Sequence, residues 1–95
     1  MRQGVIQDTY SPAGYTQLTS LGSAVGVGTI PTGTVLALIQ AETQDVRWRD
    51  DGTNPTATVG MIFKANEVYV YTGNLSALKL IQVAATAKLN ISYYK

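Results

Sequence analysis

Four carboxylates, Glu42, Asp45, Asp50 and Asp51, crowd the stretch that also carries Arg47, Trp48 and Arg49, and any hydrolytic or metal chemistry would have to rest on them. A calcium loop needs about 6–8 oxygens from acidic positions alternating around a glycine, and this stretch lacks that spacing. Asp50 and Asp51 are adjacent, so in extended backbone their side chains diverge and cannot share a proton or flank a glycosidic bond. The acids therefore read as turn formers and as partners for the arginines. The chain has no His and no Cys, which removes the commonest general base, the thiolate nucleophile, zinc–thiolate sites and disulfides. No catalytic, cofactor-binding or metal-ligating residue is assigned, and the expectation is a protein that is not an enzyme.

The elements that must position these side chains begin with an extended segment. Val46 and Trp48 project to one side of it, Arg47 and Arg49 to the other. Trp48 is expected to anchor the core; a carbohydrate-stacking platform built with Tyr69 and Tyr71 is the functional alternative. Arg47 and Arg49 lie on the wet side, free to pair with Asp50 or Asp51, or to hold a neighbour's carboxylate if another subunit covers them. Asp50-Asp51-Gly52 then turns the chain into a loop rich in Gly, Pro, Asn and Thr.

Elsewhere the apolar pattern is short and extended. Residues 34–41 form an apolar run expected to be a strand buried on both faces, joined through Glu42-Thr43-Gln44 to residues 45–50 as an antiparallel hairpin. Residues 59–64 and 68–72 read as further strands; in the second, Val68 and Val70 share one face and Tyr69 and Tyr71 the other, a tyrosine face suited to its own core or to another subunit. Residues 75–77 fit a short helical turn. Residues 78–83 form a mostly buried strand. Residues 88–94 carry the clearest alternation, with Leu89, Ile91 and Tyr93 opposed to Lys88, Asn90, Ser92 and Tyr94, as expected for a strand half in water or at an edge. Residues 1–21 read as an N-terminal arm with a short strand at 15–18. The glycines at 22, 26 and 28 do not make a phosphate loop, because Ile30-Pro31-Thr32-Gly33 supplies a turn where a helix is needed. Six to eight short strands punctuated by turns imply an all-β antiparallel sandwich, jelly-roll-like.

Ninety-five residues suit one β domain with one core. At 45% hydrophobic and 14% charged, with a formal net charge of +1 and its cations scattered, the chain lacks the basic footprint of a nucleic-acid binder. No apolar run approaches the roughly 20 residues of a membrane span, so a soluble chain made in the cytosol is expected. So weakly charged a surface suits one that other subunits cover.

The segment Arg47-Trp48-Arg49-Asp50-Asp51-Gly52-Thr53-Asn54-Pro55-Thr56-Ala57-Thr58-Val59-Gly60, followed by Leu75-Ser76-Ala77-Leu78-Lys79-Leu80-Ile81 and the ending Ala87-Lys88-Leu89-Asn90-Ile91-Ser92-Tyr93-Tyr94, resembles small virion structural proteins of tailed bacteriophages and prophages. The resemblance spans roughly residues 35–95. It implies a homo-oligomeric capsid decoration or cement protein, made in the host bacterial cytoplasm and carried in the virion, that bridges capsid subunits. Its expected partners are the major capsid protein and copies of itself, as a trimer or dimer, with no direct nucleic acid and no membrane. The interface candidates are Arg47, Arg49, Asp50, Asp51, Tyr69, Tyr71 and Tyr94. A tail or head–tail joining component and a carbohydrate- or receptor-binding module are the alternatives.

Overall fold

The computed structural model describes residues 9–95, and the fold is set by the strands with the strictest alternation. Strand β8 (Lys88–Tyr94) buries Leu89, Ile91 and Tyr93 and turns Lys88, Asn90, Ser92 and Tyr94 outward. Beside it β3 (Leu36–Glu42) buries Ala37, Ile39 and Ala41. The register sets small against large, Ala37 opposite Tyr93 and Ala41 opposite Leu89, with Ile39 opposite Ile91 between them. That alternation of volumes lets the facing layer interdigitate without voids.

Strand β1 (Pro12–Leu18) flanks β8 and β6 (Val68–Tyr71) flanks β3, giving a four-stranded sheet of order β1-β8-β3-β6. The second sheet, β2-β7-β4-β5, contains β2 (Val25–Gly26), β4 (Val46–Arg49), β5 (Met61–Phe63) and β7 (Lys79–Gln82). Its inner face contributes Val46, Phe63 and Leu80, and Leu78 enters the same core from the end of a short 3-10 turn at Leu75–Ala77. All pairings between strands are antiparallel. Strands β1 to β4 pair in reverse order with β8 to β5, so the chain is one long doubled ribbon wound on itself. The contacts β3–β8 and β4–β7 close the winding. The described residues thus make an eight-stranded jelly-roll sandwich.

Three expectations change. Residues 34–41 and 45–50 do not form a hairpin, because both edges of β3 are taken by β6 and β8; the bend at residues 43–45 instead carries the chain across to the other sheet. Thr43 takes a left-handed φ of 67° there, and its hydroxyl donates to the carbonyl of Thr86 (φ 73°), in the β7–β8 link that crosses back. Strand β3 is buried on one face and half-covered on the other. Strand β8 is half in water but central, with β1 and β3 on either side.

The arm reading fails beyond its first residues. Residues 1–8 lie outside the described residues, whereas Pro12 already opens β1, Leu21 is buried, and its carbonyl accepts from the Gln82 N–H at 2.9 Å. Proline is tolerated there as the first residue of an edge strand. Among the described residues no helix is long and apolar enough to cross a membrane.

One core group is at odds with its surroundings. The Tyr93 hydroxyl is buried and has no hydrogen-bond partner among the described residues, and burial pushes its ionisation upward. Leaving such a donor unpaired costs about 1–3 kcal/mol, so Tyr93→Phe is expected to raise stability by about 1 kcal/mol in urea unfolding. A loss of stability on that change would reveal a partner for the hydroxyl.

Candidate functional site

Strand β4 ends at the open end of the sandwich, and its last inward side chain, Trp48, lines the rim instead of the sealed centre. Its ring stacks on Phe63 at 5.4 Å between centroids and meets Tyr71 edge-on at 5.8 Å; Phe63 in turn lies 5.2 Å from Tyr69. Trp48 is thus a core anchor that remains partly exposed. Opposite it on β5 stands Met61, 62% exposed.

Tyr71 is the polar pin of this cluster. Its ring is buried, and its hydroxyl donates to Asp50 Oδ2 at 2.6 Å. Burial, then the bond to that carboxylate, raises the phenol well above its ordinary value of 10.0. A phenol raised on folding leaves stability whole below its unfolded value and erodes it as pH climbs from there toward the folded value. Urea midpoints are therefore expected to hold to about pH 9 and to fall above pH 10, and Tyr71→Phe is expected to be less stable at pH 7 but to lose less of what remains on the way up.

Each carboxylate has its own employment. Asp51 takes a two-pronged bond from Arg49, Nε to Oδ1 at 3.0 Å and Nη2 to Oδ2 at 2.6 Å. The guanidinium's hydrogen bonds hold the Asp51 carboxyl below its ordinary value. Asp45 accepts the Ala65 N–H at 2.8 Å with Lys64 at 3.9 Å, and Glu42 accepts from Asn90 at 2.8 Å. No two of them converge on one reacting atom. Among the described residues, no group of three or more His, Cys, Asp or Glu is placed to hold a metal.

Arg49 thus pairs with an acid as the sequence suggests, but Arg47 does not. Its guanidinium reaches back over the loop that follows β4, donating to the carbonyls of Ala57 at 3.1 Å and Gly60 at 2.7 Å. A planar fork that satisfies two loop carbonyls fastens Arg47 to its own chain and holds the loop against β4.

Of the two readings of the tyrosine face, the chain's own core is the one its packing bears out. Tyr69 and Tyr71 point inward, Tyr71 into the core and Tyr69 against Phe63, with the Tyr69 hydroxyl accepting from the Lys64 N–H and donating to Glu67, both at 3.1 Å. The valines of the same strand are the outward residues: Val68 is 60% and Val70 66% exposed. Alternation separates two faces of β6, and both are apolar enough to be core. Burial by Phe63 and Trp48 decides between them.

Of the aromatic interface candidates, Tyr94 alone lies on the outer surface. With Tyr10, Leu36, Leu38, Val70 and Thr72 it lines an open groove of about 530 Å³ on the outer face of the β1-β8-β3-β6 sheet. Next to this apolar band runs a polar row. Asn90 Oδ1 accepts from Tyr15 at 2.6 Å and from Gln17 at 2.9 Å, while the Asn90 amide donates to Glu42. A second groove, about 460 Å³, lies at the rim and is lined by Trp48, Arg49, Asp50, Asp51, Val59 and Met61 among others. The sequence reading missed Val68, Val70, Leu36 and Leu38 as surface residues; β-branched residues alternating with tyrosines were the only signal.

Comparison of the chain with protein-family models, with curated proteins and with solved structures finds no match.

Proposed function

We propose that this chain is a non-enzymatic structural component of a bacteriophage virion, a capsid decoration or cement protein that stabilises the shell by bridging capsid subunits. The observation that carries the reading is the outer face of the β1-β8-β3-β6 sheet, where Val68 and Val70 stand exposed beside Leu36, Leu38 and Tyr94 on an otherwise weakly charged chain. A face of this kind gains free energy when a partner covers it. The jelly roll beneath is held on both layers and suits a part whose task is mechanical. Many modest contacts per particle add through multivalency, so no single one has to be tight.

The experiment is a density map and protein inventory of purified particles from a phage carrying this gene. Copies seated on the capsid lattice at symmetry axes support the proposal, and a few copies at the portal or tail support a joining role instead. Absence from particles ends both. The rim groove favours a second reading, a carbohydrate- or receptor-binding module in which Trp48 backs a sugar and Asp50 or Asp51 accepts its hydroxyls. Sugar-dependent quenching of the sole tryptophan, abolished by Asp51→Ala, would favour it.

A further inference from the structure

Asp51 is the one carboxylate of the rim stretch that precedes a glycine, and this leaves the peptide nitrogen of Gly52 open to attack by it. A side chain on that residue would screen the nitrogen, whereas a Cβ built at Gly52 has nothing within 4 Å and its φ is 90°. Residues 50–54 are exposed, and among the described residues no acceptor holds the Gly52 N–H. The neighbouring acids are shielded by comparison. Asp50 is followed by Asp51, and Asp45 by Val46, whose nitrogen belongs to β4 and lies under a branched side chain. Asn54 precedes Pro55, which has no N–H to give.

We propose that Asp51-Gly52 is a self-modification site, where the Gly52 nitrogen closes on the Asp51 side-chain carboxyl and the ring reopens as an isoaspartyl link, and that Arg49 guards it. The nitrogen bonds to Cγ, and the carboxyl hydroxyl departs with the amide proton as water. Water then adds to the five-membered imide. Breaking the bond between Cγ and nitrogen restores aspartate. Breaking the bond between nitrogen and the Asp51 backbone carbonyl carbon leaves the chain running through Cγ. No oxidant, reductant or second protein takes part, and the composition of the chain is unchanged.

The guard is the two-pronged bond from Arg49, Nε to Oδ1 at 3.0 Å and Nη2 to Oδ2 at 2.6 Å. Ring closure asks two things of that carboxyl, and the fork opposes both. The carboxyl has to turn toward the nitrogen that follows it, whereas the guanidinium ties both its oxygens to a residue two places back. It also has to be neutral, since a carboxylate has no hydroxyl to release, and the guanidinium's hydrogen bonds favour the ionised form. The Asp51 side chain is nonetheless 57% exposed, and exposed ion pairs are weak and screened by salt, so the fork slows the reaction without forbidding it. An isoaspartyl link lengthens the backbone by one carbon and sets the carboxylate directly on Cα, out of reach of the same fork. An aged copy thus presents an unpaired Arg49 to the rim groove beside Trp48 and Met61.

The test stores the full chain, folded at neutral pH, and reads the peptide that carries Asp51 and Gly52 by chromatography and by electron-transfer fragmentation, which marks isoaspartate. Isoaspartate is expected at Asp51. Arg49→Ala, checked for folding by circular dichroism, is expected to form it about two- to fivefold faster, the weight of an exposed ion pair. Salt at about 1 M is expected to bring the unaltered chain close to the variant without any substitution. In urea that unfolds both, the two chains are expected to age alike, because only the fold holds the fork, and this separates guarding from any other effect of the change. Gly52→Ala is expected to form the least, because its methyl screens the nitrogen. No isoaspartate at Asp51 in the folded chain overturns the site, and equal rates in the two folded chains overturn the guard. Both results are independent of whether the chain is carried in virions.

Discussion

Gly60→Ala is expected to destabilise the protein by roughly 2–6 kcal/mol, a large share of the total stability of a domain this size. Two costs add. Gly60 has a φ of 141°, a region that residues with a Cβ occupy only at about 1–3 kcal/mol. A methyl there would lie 3.1 Å from Pro55 Cβ, 3.2 Å from the Trp48 carbonyl oxygen and 3.3 Å from Arg47 Cβ. Trp48 and Arg47 belong to β4, which is held by β5 on one side and β7 on the other, so those atoms cannot step back. Overpacking of this kind adds about 1–3 kcal/mol. Gly52→Ala supplies the contrast, because Gly52 also has a positive φ, of 90°, but a Cβ there meets nothing within 4 Å. It should cost only about 1–2 kcal/mol. Urea unfolding of both variants checks the argument: equal losses would mean that the loop moves freely away from β4.

The contrast shows what the chain discloses before it folds. Strand β8 was legible to the residue, because three large inward side chains alternating with polar ones leave a single way to place the strand. Its neighbours were not legible. Strand β8 pairs with β1 across nearly the whole chain, and nothing local at Pro12–Leu18 encodes that pairing. The crossing at Thr43 looks like a hairpin turn in sequence, since polar residues between two apolar runs serve either purpose. Its left-handed φ serves the passage to the other sheet, and only the occupied edges of β3 exclude the hairpin.

The site was legible in part for the same reason. The bond between Arg49 and Asp51 joins residues two apart and follows from proximity, whereas Arg47 reaches ten and thirteen residues on, to carbonyls that any residue would offer. Gly73 reads as a turn glycine. It also stands where the Tyr71 hydroxyl passes, since a Cβ there would lie 2.6 Å from that oxygen. Close approach by a distant ring leaves no trace in the composition of a turn.

Trp48→Ala is expected to cost about 3 kcal/mol, the lower end for removal of a large aromatic, and to lower the melting temperature by about 10–20 °C. The lower end applies because Trp48 stands at the rim and part of the space it vacates opens to water. The loss still includes the stack on Phe63 and the edge contact with Tyr71, each contributing about 0.5–1.5 kcal/mol beyond burial. It also loosens Tyr71, and with it the partner of Asp50. Since Trp48 is the only tryptophan, unfolding must be followed by circular dichroism. Trp48→Phe keeps a ring over Phe63 and should recover most of the stability. That variant separates the two roles weighed for the residue. If Trp48 serves the core and the proposed virion role holds, a folded Trp48→Phe chain should occupy particles as fully as the unaltered one. If it backs a sugar, the same chain should remain folded and lose its ligand, because the smaller ring offers less face to stack against and no indole N–H. Retained occupancy together with lost sugar binding would assign Trp48 both tasks, one for each side of its ring.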